Sequence, residues 1–592
     1  MQTILLQDFG ILPNTGKDYT QALWDVFCSH RHVCLFQFAP GTYHFDARNA
    51  LSRRYALSNS DDIPLRKLGL LLQDMQRVVL DGNGAQFLFS GQMQPITLDG
   101  CQNVTLRNFS IDWEKPMVAE GIVTDAGAGW FDLSINQQCF PCYFRENWLF
   151  FDIGGSEVSP LCSGGQIEFD RTSHKVADGT GDCYSPTQIY ERGHGLYRFE
   201  VSTPKSPTVG NWMVLRHGAR QHAALFCENS RCITYDTLSI HSCGGLGCLF
   251  QFSQDICCRR VVFSPAVEKG RHICSGRDDG LQFSNCGGGI EVDSCAFYGL
   301  MDDAVNVHGT SVKVTGQLDA RTVRCRYIHP QSRGFLYWAR PGQQIAVLNQ
   351  QSMVRLGVLE VSQYTLLSPE EFDLQFSQKI PSELAAALPQ GTALENLSNT
   401  PSFHCHHSVF GSGRARGVLF STPKPVLLEH NLFDTSGCAI LASGDANAWY
   451  ESGACHDVTI RRNIFTDHCL SSDYQFCEGV ISFCPEIPTP SLQTPFHQHA
   501  VICQNQFYVS DVPILYAAST QSLQFTGNQI RKSACLPALR QAAALFRLAF
   551  CQTAAFSGNT FTGPFMLERF DISQCGDVSW KSEIISSATQ TP

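Results

Sequence analysis

The sequence predicts an all-β protein: a right-handed parallel β-helix carrying two inserted antiparallel, barrel-like β-domains. Three observations predict it. A pattern apolar-x-apolar-x-x-Asn-x-apolar recurs along the chain. Two stretches of about a hundred residues interrupt it with strict alternation of apolar and polar residues. The composition is 16% charged and 43% hydrophobic over 592 residues. The charged fraction is well below the usual quarter and suits extensive buried sheet with uncharged polar ladders. The length suffices for a large core.

The segment from Asp8 to Asp25, Asp-Phe-Gly-Ile-Leu-Pro-Asn-Thr-Gly-Lys-Asp-Tyr-Thr-Gln-Ala-Leu-Trp-Asp, predicts a short strand and an amphipathic helix. Together they would cap the first coil and protect its open edge. Early coils read as Val104-Thr-Leu-Arg-Asn-Phe-Ser-Ile111, Ile233-Thr-Tyr-Asp-Thr-Leu-Ser-Ile240 and Ile290-Glu-Val-Asp-Ser-Cys-Ala-Phe297. Late coils carry asparagines at 431, 463, 505, 528 and 559, at intervals of 32, 42, 23 and 31 residues. Intervals in the twenties suit a bare coil and longer ones a coil with a loop. Each asparagine is expected to tolerate a left-handed turn and to hydrogen-bond its copy in the next coil. A propeller would require four alternating strands per repeat, and these are not seen. Residues 1–114, 216–310 and 412–575 are therefore read as one discontinuous β-helix. Residues 115–215 and 311–411 are read as the inserted domains, able to wall a cleft, and 576–592 as a C-terminal tail.

The net charge of −11, with no dense Lys/Arg run, argues against nucleic acid or an anionic membrane as partner. No stretch approaches a membrane span. No signal peptide is readable at Met1–Asp8, so the chain is expected to be cytoplasmic, or exported with its signal removed. The 27 cysteines are spread through apolar strand positions and are expected to be reduced core residues. Cys139-Phe-Pro-Cys142 and His404-Cys405-His406-His407 hint at zinc, but neither has a second half at ligand spacing, so no metal and no cofactor are expected.

The chemistry-bearing feature is a pair of acidic clusters. Arg277-Asp278-Asp279-Gly280 precedes Met301-Asp302-Asp303-Ala304 by one short interval, and Asp279 and Asp303 are 24 residues apart. That is about one coil, so the carboxylates would stack. Adjacent coils lie about 4.8 Å apart, which places offset carboxyls on the order of 6–9 Å from one another. Inverting glycosidases use about 6.5–9.5 Å and retaining ones about 5–5.5 Å, which a directly stacked pair would approach. Consecutive Asp302 and Asp303 would face opposite sides of a regular strand, so a bend is expected, with Gly299, Asn306 and Gly309 as candidates. A solvated acidic turn or a calcium site is the competing reading.

The runs Asp279-Gly-Leu-Gln-Phe-Ser-Asn-Cys-Gly-Gly-Gly-Ile-Glu-Val292 and Met301-Asp-Asp-Ala-Val-Asn-Val-His-Gly309 resemble glycoside hydrolase family 110. So do Ser110-Ile-Asp-Trp-Glu-Lys-Pro116, Arg414-Ala-Arg-Gly-Val-Leu-Phe-Ser-Thr422 and Gly444-Asp-Ala-Asn-Ala-Trp-Tyr-Glu-Ser-Gly453. The resemblance spans most of the chain. It implies an exo-acting, metal-free, inverting bacterial α-1,3-galactosidase acting on terminal galactose, including that of the blood group B antigen. It puts the acid on Asp302 and the water-activating carboxylates on Asp303 and Asp279. Asp278 departs from the family pattern and is left as a neighbour that modulates charge. Trp449 would stack on galactose or pack in the core. Glu451 and Asp445 would bind hydroxyls or shape a turn. Arg416, His308 and Arg271 would bind substrate or form structural pairs. Two other readings stand beside this one: a β-helix hydrolase or lyase acting on acidic polymers, and a non-catalytic carbohydrate-binding solenoid. Exposed inserted domains would also suit a homodimer.

Overall fold

The computed structural model describes residues 1–474, 477–533, 535–536, 544–581 and 584–585. The chain coils into a parallel β-helix. One ladder runs through Gln94–Asp99, Leu225–Glu228, Cys248–Gln251, Leu281–Ser284, Val305–Thr310, Val418–Phe420, Ile440–Ala442 and Ile481–Phe483 to Glu568–Ser573. A second, longer ladder runs through Gln102–Trp113, Arg231–Ile240, Gln254–Phe263, Gly287–Asp293, Ser402–His406, Val426–Glu429 and Asp457–Arg461. The helix Thr20–Ser29 closes the N-terminal end and sinks Leu23, Val26 and Phe27 into the core.

Inside, identical residue types stack coil upon coil. Phe263, Phe297, Phe410, Phe433, Phe465 and Phe507 form one column, with ring centroids 4.6–5.8 Å apart. Each fully buried phenylalanine contributes roughly 1.5–3 kcal/mol, which makes this column a main source of coil-to-coil cohesion. Beside it the asparagines form a polar column. The Oδ1 of Asn463 accepts from the backbone N–H (3.0 Å) and Nδ2 (3.1 Å) of Asn431, and the pattern repeats through Asn505, Asn528 and Asn559. The expectation that these asparagines adopt the left-handed turn is corrected: the positive φ falls one residue earlier, at His430, Arg462, Gln504, Gly527 and Gly558. The asparagine side chain is selected for the ladder, because a buried amide must be fully hydrogen-bonded. All 27 cysteines are free thiols.

The first insertion is a six-stranded antiparallel sheet, from Val118–Gly127 to Trp212–Arg216, with a three-stranded sheet of Cys142–Arg145, Trp148–Gly154 and Glu157–Pro160 sharing its core. The second is a closed six-stranded barrel from Val312–Gln317 to Thr392–Asn396. Its barrel ends before residue 411, because Ser402–His406 already pairs with Gly287–Asp293 and points Phe403 and Cys405 into the coil core. The stretch expected as a tail also contributes a strand. Asp577–Lys581 pairs in parallel with Thr553–Ser557, so the coil runs past residue 575; the rest of that stretch, apart from 584–585, lies outside the described residues. Among the described residues no helix is long and apolar enough to cross a membrane.

Candidate active site

The site is built at the N-terminal ends of three consecutive strands of the first ladder. Leu281 pairs with Val305, and Val305 with Val418. Two residues before each of these lie Asp279, Asp303 and Arg416, which therefore form one column. The backbone seals it: the N–H of Gly280 donates to the Asp303 carbonyl (2.9 Å) and the N–H of Ala304 to the Arg416 carbonyl (3.1 Å). Gly280 is required by this approach, since a Cβ there would meet the Ala304 carbonyl oxygen at 2.6 Å. The chain is bent at Gly299, which has φ +73, and again at Met301, Asp302 and Ala304, so Asp302 and Asp303 do not lie in a regular strand. Asn306 and Gly309, the other candidates for the bend, lie within the regular strand Val305–Thr310.

Asp279, Asp302 and Asp303 line one cleft of ≈ 330 Å³ together with Arg220, Arg414, Arg416, Tyr474, Asn306, Trp449 and Glu451. Its inner wall carries outward-facing Leu419 and Leu441 from the middle of their strands. Arg220 is the electrostatic centre. Its Nη2 lies 2.9 Å from Asp278, 2.8 Å from Asp302 Oδ2 and 3.6 Å from Asp279 Oδ1. Burial opposes its charge, but the three aspartates outweigh burial and keep it cationic. Asp278 is held by Arg220 and also by Arg277 Nη1 at 2.8 Å. These two cations overcome burial and hold its carboxyl well below the ordinary carboxylate range, so Asp278 is a permanent counter-ion.

Asp279 behaves oppositely. Burial, followed by the charge of Asp302, pushes its carboxyl well above the ordinary value, and Arg220 offsets this only in part. Asp303 is also raised by burial and by Asp302, against the pull of Arg416. Arg416 grips it with two hydrogen bonds, Nε to Oδ1 at 2.7 Å and Nη2 to Oδ2 at 2.9 Å. Asp302 is the most solvent-accessible of the four, with its side chain 22% exposed against 2–5% for the others. Its second oxygen faces the Tyr474 hydroxyl at 3.4 Å and Arg414 at 3.8 Å. The Tyr474 ring lies against the guanidinium groups of both Arg414 (4.8 Å) and Arg416 (5.5 Å).

Both inserted domains reach the cleft. Asp182 from the first grips Arg414 through two nitrogens, with Nε at 2.6 Å. His329, from the second inserted region, packs against Trp449 with ring centroids 4.4 Å apart and the rings tilted by 31°. Trp449 is 42% exposed at the mouth. Asp445 accepts hydrogen bonds from the backbone of Ala448 (3.0 Å) and Tyr450 (2.8 Å), which folds the loop presenting Trp449 and Glu451. Glu451 accepts from Asn59 Nδ2 at 2.9 Å.

Two expected substrate ligands stand apart from the cleft lining. His308 is buried behind Glu451; its Nδ1–H donates to the Gly309 carbonyl (2.9 Å), and Nε2 accepts from Gln282 (3.0 Å). Arg271 is buried in an ion pair with Asp112 (2.6 Å), which also binds Lys269 (2.7 Å). Asp112 needs cations because it is wholly enclosed. Sequence reasoning missed Arg220, Arg414, Asp182, Tyr474 and Asn59 as site residues. Only Arg414 carried a usable signal: with the second insertion excised, Arg414-Ala-Arg416 falls one coil after Asp302-Asp303.

Paired carboxylates in a small, half-apolar cleft on the face of a parallel β-helix define a glycoside hydrolase of the β-helix type. Residues 119–213 match the GLAA-B beta-barrel domain I and residues 322–387 the GLAA-B beta-barrel domain II. An alpha-1,3-galactosidase B of Bacteroides thetaiotaomicron is 36% identical over 95% of this chain and 91% of its own. One from Phocaeicola vulgatus is 31% identical over 95% of each chain. An alpha-1,3-galactosidase A of Bacteroides fragilis is 29% identical over 95% of this chain and 92% of its own. The chain belongs to this family of α-1,3-galactosidases, glycoside hydrolase family 110.

Proposed function

We propose that the protein removes terminal α-1,3-linked galactose from oligosaccharides or glycoconjugates by single displacement with water. The observation that carries the proposal is the convergence of Asp279, Asp302 and Asp303 from two adjacent coils on one cleft, with Arg220 joining Asp279 to Asp302 and Arg416 holding Asp303. In this reading Asp302, at the open side, protonates the departing oxygen, while Asp279 and Asp303 hold and deprotonate the attacking water. Asp303 is not set up as a nucleophile, because both its oxygens are engaged by Arg416. This favours inversion.

Burial, followed by the charge of Asp302, holds the Asp279 carboxyl well above its ordinary value. A sugar entering the cleft displaces water from Asp302, the most solvent-accessible of the carboxylates. In the proposed reaction Asp302 gives its proton to the departing oxygen, while Asp279, beside Arg220, acts with Asp303 on the water. A cleft of ≈ 330 Å³ lies at the small end of the range for small-molecule sites, about 300–1,000 Å³, and suits a terminal sugar better than a polymer chain. Leu419, Leu441 and Trp449 offer apolar surface to the ring, and Glu451 a hydroxyl acceptor. Acidic polymers are disfavoured, because Arg220, Arg277, Arg414 and Arg416 are each already paired with an aspartate.

Asp302→Asn tests the acid. It should abolish hydrolysis of α-1,3-galactobiose and of the branched blood group B trisaccharide while leaving the thermal midpoint near that of wild type. Retained activity would refute the assignment. Comparing the two substrates in the wild type also defines the preference between linear and branched glycans. A homodimer, in keeping with the exposed inserted domains, would show as twice the chain mass in light scattering.

A further inference from the structure

The outer face of the second ladder carries a cluster that the hydrolytic site does not use. Asp293 and His406 are register partners on adjacent strands, Gly287–Asp293 and Ser402–His406. Alternation turns Cys405 into the core and His404 and His406 outward. His407 would ordinarily point away from His406. It instead adopts a left-handed backbone, φ +52, and its Nδ1 lies 2.8 Å from the Nδ1 of His406. The Oδ1 of Asp293 lies 3.4 Å from that same His406 nitrogen. One donor atom from each of the three residues thus falls within 4.8 Å of the others.

The surroundings orient these atoms. His406 Nε2 faces the Glu291 carboxylate at 3.4 Å, which puts the ring proton on Nε2 and turns the Nδ1 lone pair into the cluster. The His407 ring stacks on His430 of the next coil at 5.2 Å and 2°. Two imidazole nitrogens and a carboxylate oxygen therefore converge, the carboxylate also accepting from Ser294 Oγ (2.8 Å) and facing Arg259 Nε at 3.3 Å. Two nitrogens bound tetrahedrally to one Zn²⁺ at about 2.0–2.1 Å are themselves about 3.3 Å apart, about half an ångström wider than the 2.8 Å seen here.

We infer that Asp293, His406 and His407 form a binding site for a borderline divalent transition-metal ion such as Zn²⁺, with Glu291 as the carboxylate behind His406. The His404-Cys405-His406-His407 run lacks a second half in its own neighbourhood, and the preceding coil supplies it through Asp293. The ion would staple together the two coils between which the second barrel is inserted, away from the hydrolytic cleft on the other ladder.

The test uses the full-length untagged chain, stripped with EDTA and titrated with ZnCl₂ by calorimetry. One Zn²⁺ should bind per chain and raise the thermal midpoint. His406→Ala and His407→Ala should abolish both effects, and Asp293→Asn should weaken binding at least tenfold. Co²⁺ in place of Zn²⁺ should give visible d–d bands without thiolate charge transfer. His32→Ala, remote from the cluster, should change nothing, and α-galactosidase turnover should be unaltered throughout. Binding that survives the histidine variants, a thiolate signature, or no stoichiometric uptake by the wild type would overturn the inference. If an alanine variant fails to fold, Asp293→Asn and His407→Gln decide by the same readouts.

Discussion

Gly280→Ala tests whether coil stacking creates the site. The added Cβ would lie 2.6 Å from the Ala304 carbonyl oxygen and 2.7 Å from Leu300 Cδ1. Ordinary contact begins near 3.4 Å, so the two coils must separate by several tenths of an ångström or more. Overpacking of this kind costs about 1–3 kcal/mol. The same shift displaces Asp279 against Asp303, the two column neighbours on either side of the clash, and a misplacement approaching 1 Å costs on the order of 10²-fold in rate. Gly289→Ala is the matched control: it also lies in a coil strand, but its Cβ would meet only Ser402 Oγ, at 3.8 Å. We expect Gly280→Ala to lower kcat/KM on an α-1,3-galactoside by one to two orders of magnitude and to lower the denaturation midpoint, with Gly289→Ala near wild type on both. Wild-type kcat/KM in a folded Gly280→Ala variant would refute the claim that coil registration sets the geometry of the carboxylates.

Two further predictions concern charge. Arg416→Met leaves Asp303 buried without its partner and should cost about 3–5 kcal/mol of stability, with loss of turnover that Arg416→Lys restores poorly, because a lysine cannot grip both oxygens; equal stability of wild type and Arg416→Met in denaturant would contradict this. Glu228, wholly buried with Gln251 donating to it, has its carboxyl pushed by burial from 4.5 to about 8. The fold therefore holds this proton more tightly than the unfolded chain does, and the contribution is complete below about pH 4.5 and lost as pH rises through about 8. At 1.36 kcal/mol per unit the full swing is on the order of 4–5 kcal/mol. Denaturation midpoints measured from pH 5 to 9 should fall more steeply for wild type than for Glu228→Gln, and parallel curves would sink the idea.

The late coils were legible because their signals are local and repeated: an asparagine after each short apolar strand, and two residues on a phenylalanine, or isoleucine at Ile530. Even so, the asparagine signal was read too broadly, since the turn's left-handed residue is its predecessor and carries no fixed identity, as His430, Arg462 and Gln504 show. The two aspartate pairs were legible as neighbours because no insertion separates them. Arg416 is just as close to Asp303 but is displaced in sequence by a whole barrel. Arg220 sits in an aperiodic connection and Asp182 in an inserted domain, so nothing in coil spacing points to either. For Arg271 the sequence left a substrate contact and a structural pair open, and the structure shows the pair, with Asp112.

The most direct test is the configuration of the first product. Proton NMR of α-1,3-galactobiose hydrolysis, recorded before mutarotation, should show β-galactose first, formed by water held at Asp279 and Asp303 on the face opposite Asp302. Initial release of α-galactose would contradict the account, because it would require one of these carboxylates to attack the sugar itself.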